Sequence, residues 1–201
     1  MTITYEYHHS LYVNITNRCS NACSFCVRNN HDTVNGEDNL WLEREPTLEE
    51  IKADFERREL SKYDAIVFCG YGEPTERMDD LLAIAKWLKA KDSSLRIRIN
   101  TNGHANLITG RDVTPEMAGL IDCVSISLNA ENAEKYQALC RSVFGAETAF
   151  EGLKEFAVLA RRYVPEVVFT VVDLMPAEEI EACRRIAEDC GAAFRVREMI
   201  E

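Results

Sequence analysis

Cys19, Cys23 and Cys26 lie in one short polar stretch, Cys19-Ser-Asn-Ala-Cys23-Ser-Phe-Cys26, at spacings of four and three residues. Cysteine thiolates are the usual ligands of iron–sulfur clusters, and three at this spacing can wrap one side of a cubane. A [4Fe-4S] cluster held in this way leaves one iron without a protein ligand. That iron is open to another molecule, much as a catalytic zinc keeps an open position. The rival reading of the same stretch is a structural zinc site with His31 as the fourth ligand. Asn17, Arg18 and Asn21 flank or interrupt the cysteines, which sets them apart from buried, inert thiols. The other five of the eight cysteines, Cys69, Cys123, Cys140, Cys183 and Cys190, are scattered through apolar or periodic segments and read as small buried hydrophobes.

The cysteine stretch follows directly on Leu11 to Ile15, whose alternation of apolar and polar residues fits a half-buried strand. Residues 27 to 46 are polar and loop-like, and Thr47-Leu-Glu-Glu50 is a capping box opening a helix to about Leu60. The strand-and-helix unit then recurs. Ala65 to Cys69, Leu95 to Asn100, Cys123 to Leu128, Val167 to Leu174 and Phe194 to Met199 read as strands. Helices are expected over about Glu76–Lys91, at Thr114-Pro115, over Ala133–Val143 and Thr148–Tyr163, and from Pro176 to Cys190, where Gly191 stops the last one.

Strands alternating with helices imply parallel βαβ units. Six units fall short of the eight of a closed barrel. The expected fold is therefore α/β, a partial (β/α)6 TIM-like barrel with a mostly parallel curved sheet; a flat doubly wound sheet is the alternative. Either way the βα loops at the C-terminal strand ends should carry the site. With no linker or low-complexity segment, residues 1–201 read as one domain.

Gly70-Tyr71-Gly72-Glu73-Pro74 occupies the loop after the second of these strands, and Asn102-Gly103 the turn after the third. Ser127 and Asn129 end the fourth, and Asp173 and Met175 the fifth, where they face the mouth. By themselves these are strand-to-helix turns and capping groups. Arg195, Arg197 and Glu198 alternate along the last strand; one that enters the barrel needs a partner, such as an anionic substrate group, while a solvated edge is the equal alternative. The His8–His9 pair and Tyr5, Tyr7 and Tyr12 read as surface and packing residues.

Lysine and arginine total 23 against 34 aspartate and glutamate, a net charge of −11. Nucleic-acid affinity comes from neutralising phosphates, so a nucleic-acid partner is disfavoured. No run of apolar residues is long enough to span a membrane. The first ten residues lack the basic and apolar regions of a secretory signal, and eight cysteines without an oxidising destination suit the cytoplasm.

These motifs together resemble the radical S-adenosylmethionine (SAM) enzymes. CxxxCxxC after a first strand is that family's signature, and Phe25 matches its aromatic residue before the last cysteine. Gly70–Pro74 is similar to its GGEP motif with Tyr71 inserted, Thr101-Asn102-Gly103 to its TNG turn, and Ser127 and Asn129 to its polar contacts to SAM. The resemblance implies a [4Fe-4S] cluster on Cys19, Cys23 and Cys26, with SAM on the open iron. SAM contacts would come from Phe25, Gly70, Tyr71, Gly72, Glu73, Asn102, Ser127, Asn129 and Asp173. On this reading Gly70 and Gly72 let the backbone approach the methionine part, and Glu73 accepts from its ammonium.

The implied reaction is reductive cleavage of SAM to a 5′-deoxyadenosyl radical, which abstracts hydrogen from a small-molecule or protein substrate. A flavodoxin or ferredoxin would donate the electron, near Arg18, Arg28 and Arg44. Small size is similar to the compact TatD-associated members, with glycyl-radical-enzyme activases and deazaguanine synthase-like enzymes as alternatives. A zinc-stabilised binding module is the alternative outside enzymes.

Overall fold

The computed structural model describes residues 1–29, 33–34, 38–173 and 175–197. Its main sheet contains β1 (Thr4–Tyr7), β2 (Ser10–Val13), β5 (Ala65–Phe68), β6 (Ile97–Thr101), β7 (Cys123–Ser127), β8 (Glu166–Val172) and β9 (Ala193–Arg197), in the spatial order β1-β2-β5-β6-β7-β8-β9. Two short strands, β3 (Thr33–Val34) and β4 (Asp38–Asn39), pair separately. The helices are α1 (Leu48–Phe55), α2 (Met78–Lys91), α3 (Ala105–Thr109), α4 (Ala133–Cys140), α5 (Ala146–Ala160) and α6 (Ala177–Asp189). In the main sheet every pairing beyond β1–β2 is parallel. The sheet does not close, so β1 and β9 are its edges, and the architecture is the partial barrel expected.

Strand periodicity decides which side meets the helices. Leu11 and Val13, Ile66 and Phe68, Ile97 and Ile99, and Val124 and Ile126 all join one buried core with α2 and α5. Each such side chain contributes roughly 1.5–3 kcal/mol on burial, so this seam holds the sheet to its helices. The residues between them face inward and are largely polar: Tyr12 on β2, Cys69 after β5, Arg98 and Asn100 on β6, Ser125 and Ser127 on β7, and Thr170 on β8. The Thr47 capping box forms as read, with Glu50 N donating to Thr47 Oγ1 at 3.2 Å and Thr47 N to Glu50 Oε2 at 2.8 Å.

The short strands β3 and β4 fall where a loop was expected, and β1 and α3 were also not foreseen. β1 pairs antiparallel to β2, with Tyr5 opposite Tyr12, through a turn in which His8 takes a positive φ of 52°. No glycine or Asn-Gly marks that turn, so its usual sequence signal is missing. α3 follows Asn102-Gly103 and ends where Gly110 turns left-handed at φ 68°. Five residues give too little periodicity to read as a helix. The expected ends of the last two strands, Leu174 and Met199, and Glu198 lie outside the described residues. His8 and His9 are exposed, while Tyr5 joins Leu40 and Tyr71 in a small inner-face cluster with Tyr12 against it.

Candidate functional site

Beyond β2 the chain leaves the sheet, and its backbone polar groups need new partners. Asn17 supplies two, donating from Nδ2 to Leu42 O at 2.7 Å and accepting at Oδ1 from Leu42 N at 3.1 Å. α4 supplies the others. It stops at Cys140, with Arg141 left-handed at φ 48°, and a helix end leaves carbonyls without donors. The cysteine loop provides those donors: Ala22 N reaches Cys140 O at 3.0 Å and Ser24 N reaches Leu139 O at 2.9 Å. Val143 N donates back to Ser20 O at 2.9 Å, and Asn21 Nδ2 to the Tyr136 hydroxyl at 3.0 Å. Cys19, Cys23 and Cys26 thus sit on a loop fixed at both flanks, all three partly buried.

Burial, with the Glu73 carboxylate nearby, pushes the Cys19 thiol up to about 12. A hydrogen bond with Cys140 and burial raise Cys23, and burial raises Cys26. Cys140 itself is fully buried beneath the loop, with Asn129 Nδ2 3.9 Å from its sulfur. Among the described residues no three His, Cys, Asp or Glu side chains converge closely enough to hold a single metal ion. A cubane instead offers each thiolate its own iron corner, and a donor set made only of thiols fits such a cluster. His31, the fourth ligand of the zinc reading, lies outside the described residues.

The Gly70–Pro74 loop presses directly on the cysteine segment. A Cβ on Gly70 would lie 2.1 Å from Asn14 Oδ1, and one on Gly72 would lie 2.2 Å from Thr16 O and 2.6 Å from Arg18 O. On the side where a Cβ would stand, these glycines are packed against the segment from Asn14 to Arg18 that leads into the cysteines. Glu73 N also donates to Arg18 O at 2.8 Å. The Glu73 carboxylate is buried and fully engaged: Oε1 accepts from Thr75 N at 3.0 Å, Thr75 Oγ1 at 2.7 Å and Thr101 Oγ1 at 2.8 Å, and Oε2 accepts from Asn102 N at 2.7 Å. Burial raises its pKa against the pull of those donors. Glu73 therefore joins the β5 loop to the end of β6. Asn102 continues the tie, donating from Nδ2 to Ser20 Oγ at 2.9 Å, inside the cysteine loop.

Arg28, two residues beyond Cys26, turns inward. It donates to the carbonyls of Asn17 at 3.5 Å, Asn21 at 3.4 Å and Tyr71 at 3.4 Å, so one guanidinium spans both loops. Arg18 and Arg44, grouped with it by sequence as charges for an electron donor, pair with Glu45 and Glu50 and stay largely exposed. Tyr71 is buried with its ring 5.2 Å from that of Trp41. Phe25 is half-buried against the main core. Asn129 is buried at a positive φ of 58° with Oδ1 lacking a hydrogen-bond partner, Ser127 ends β7, and Asp173 is exposed where β8 ends, its amide donating to Arg197 O at 3.0 Å. All the expected site residues thus gather at the C-terminal strand ends. Ser20 and Cys140 were missed, and Arg28 was read only as a surface charge, because each acts through a contact distant in sequence. A cleft of about 430 Å³ flanks Cys19, lined in part by Ser20, Val143 and Phe144.

The family model described as the radical SAM superfamily matches residues 13–190, nearly all of the chain and the whole of this site. The chain belongs to the radical SAM superfamily. Solved radical SAM structures share its fold at low identity. Methylornithine synthase (PylB) aligns with a TM-score of 0.63 and 16% identity, covering 95% of this chain and 53% of that one. The anSMEcpe structure with bound AdoMet gives 0.62 and 16%, covering 94% and 51%. Streptococcus suis SuiB bound to S-adenosylmethionine gives 0.62 and 14%, covering 94% and 38%. This radical SAM chain therefore spans about half or less of the length of these relatives. No curated protein matches it. Among the described residues no helix is long and apolar enough to cross a membrane.

Proposed function

We propose that this chain reductively cleaves S-adenosylmethionine at a [4Fe-4S] cluster to a 5′-deoxyadenosyl radical and takes hydrogen from a substrate. The observation that carries this reading is three thiols on one rigid loop, at the C-terminal mouth of an open parallel barrel, braced by the loops that follow β5 and β6. Cys19, Cys23 and Cys26 would hold three irons and leave the fourth for SAM. When bound, the cluster supplies the electron and SAM the radical precursor.

The chain's residues supply position. Arg28 and Asn102 fix the loop against its neighbours, and the Leu139 and Cys140 carbonyls hold its far side. Glu73, with four donors already on it, holds the β5 and β6 loops together and so sets the shape of the mouth. Eight free cysteines suit a reducing cytoplasm, and a flavodoxin or ferredoxin would supply the electron.

Anaerobically purified protein should be brown, contain about four iron atoms per chain, and release 5′-deoxyadenosine from SAM and a reductant. Cys23→Ala should lose both the cluster and the cleavage, whereas Cys140→Ala should keep its iron. Colourless, zinc-containing protein that leaves SAM intact would overturn the proposal in favour of a zinc-stabilised module.

A further inference from the structure

The inner face of the sheet carries three arginines, although the chain as a whole is acidic. Arg98 stands on β6, and Arg195 and Arg197 on β9. Arg98 is partly buried; Nη2 donates to the Tyr12 hydroxyl at 3.1 Å, and Nε is buried without a hydrogen-bond partner. Arg195 lies opposite Thr170 on β8 and reaches past that strand, Nη2 donating to Ser125 Oγ on β7 at 3.4 Å. Arg197 lies opposite Val172 and falls within electrostatic reach of Arg195, Cys69 and Cys23. Cys69, after β5, lies within electrostatic reach of both Arg98 and Arg197. Arg197 thus stands within electrostatic reach of the cysteine loop.

Among the described residues no carboxylate lies within salt-bridge distance of Arg98 or Arg195. The carboxylates about this face are otherwise engaged, Glu73 by its four donors. Glu166, at the foot of β8, pairs with Arg96, and Asp173, at the top, acts on Arg197. Asn100, on the same inner face as Arg98, also leaves Oδ1 buried without a partner. A partly buried guanidinium is costly unless it is paired and hydrogen-bonded. Its planar fork matches carboxylate and phosphate oxygens in a way that the hydroxyls of Tyr12 and Ser125 do not. Low-dielectric walls of one sign also focus potential, which draws an anion into the barrel against the −11 charge of the whole chain.

We propose that Arg98, Arg195 and Arg197 bind an oxyanionic group, phosphoryl or carboxylate, of a small substrate seated in the barrel beneath the cysteine loop. That this ligand is the substrate rests on the radical SAM reaction proposed above; that this face takes an oxyanion rests on the arginines alone.

The test is calorimetric titration of anaerobically purified full-length protein with inorganic phosphate and, separately, with glutarate, each with and without saturating SAM and with no reductant. At least one anion should bind saturably in the presence of SAM, and more weakly as salt is raised. The stronger of the two identifies the group. Arg98→Gln and Arg195→Gln should each weaken binding about tenfold, while Arg185→Gln, an exposed position on α6, should not change it. Arg195 lies exposed on an edge strand, so its variant keeps the test decisive should Arg98→Gln fail to fold.

Binding of neither anion, or equal weakening by Arg185→Gln, overturns the proposal. Binding that SAM abolishes also overturns it and assigns the arginines to SAM's own carboxylate. Protein that carries iron and cleaves SAM but binds neither anion refutes this inference alone. Protein that binds the anions but lacks iron and SAM cleavage refutes the proposed function and leaves the oxyanion site standing.

Discussion

Replacing Gly72 with alanine should unseat the cysteine loop. The added Cβ would stand 2.2 Å from Thr16 O, about 1.2 Å short of an ordinary contact at 3.4 Å, with Arg18 O at 2.6 Å on the same side. Both obstacles are backbone, so no rotamer change relieves the overlap. Overpacking of this kind costs about 1–3 kcal/mol. Separating the loops also strains the bond from Glu73 N to Arg18 O, worth about 1 kcal/mol more. The sum, about 2–4 kcal/mol, lowers the melting temperature of a chain this size by roughly 5–15 °C.

Gly110→Ala is the control. Its φ of 68° strains an alanine by about 1 kcal/mol, but nothing lies within 4 Å of the new Cβ. Melting by circular dichroism and iron content after anaerobic purification are measured for both. Gly72→Ala should melt well below Gly110→Ala and lose most of its iron, while Gly110→Ala keeps it. Equal melting temperatures with full iron in both variants would refute the claim that these loops are mutually fitted.

Glu73→Gln sets an amide donor against the amide of Asn102, and a buried donor left without an acceptor costs about 1–3 kcal/mol. The variant should melt lower yet bind SAM normally per cluster; normal melting with weakened SAM binding would return Glu73 to the ligand. His104 is fully buried, with Nε2 3.0 Å from Ala149 O and Nδ1 unpartnered, and burial drives its pKa down from 6.5 to about 4. Between those values the unfolded chain binds the extra proton. Stability is therefore fully present above pH 6.5 and is lost as pH falls toward 4, by about 1.4 kcal/mol per unit. His104→Gln should lack that part of the acid slope in denaturant titrations across this range, and an unchanged slope would exclude the assignment.

The parallel sheet and the position of the chemistry were legible because both rest on local signals. Short apolar runs alternating with helical periodicity mark the strands, and cysteine spacing survives without any knowledge of contacts. β1 escaped because His8 reverses the chain without a turn residue that advertises it. The packing roles of Gly72 and Glu73 were not legible for a different reason. Their residue types suit a ligand and a neighbouring loop alike, and only the positions of Thr16, Arg18 and Asn102 show the loop contacts. Arg28 carries the same ambiguity, since an arginine beside a cluster motif reads equally as surface charge or as a staple between carbonyls.

The hollows at Gly70 and Gly72 also bear on protein engineering. A designer who grafts the eight residues from Cys19 to Cys26 onto another parallel sheet transfers the thiols without the surface they were moulded on. The backbone at Thr16 and Arg18 needs a side-chain-free neighbour, and the amides of Ala22 and Ser24 need the carbonyls of a helix end to meet them. The portable unit is two loops and a helix end, three pieces far apart in the chain, and a transplant should succeed only when all three travel together.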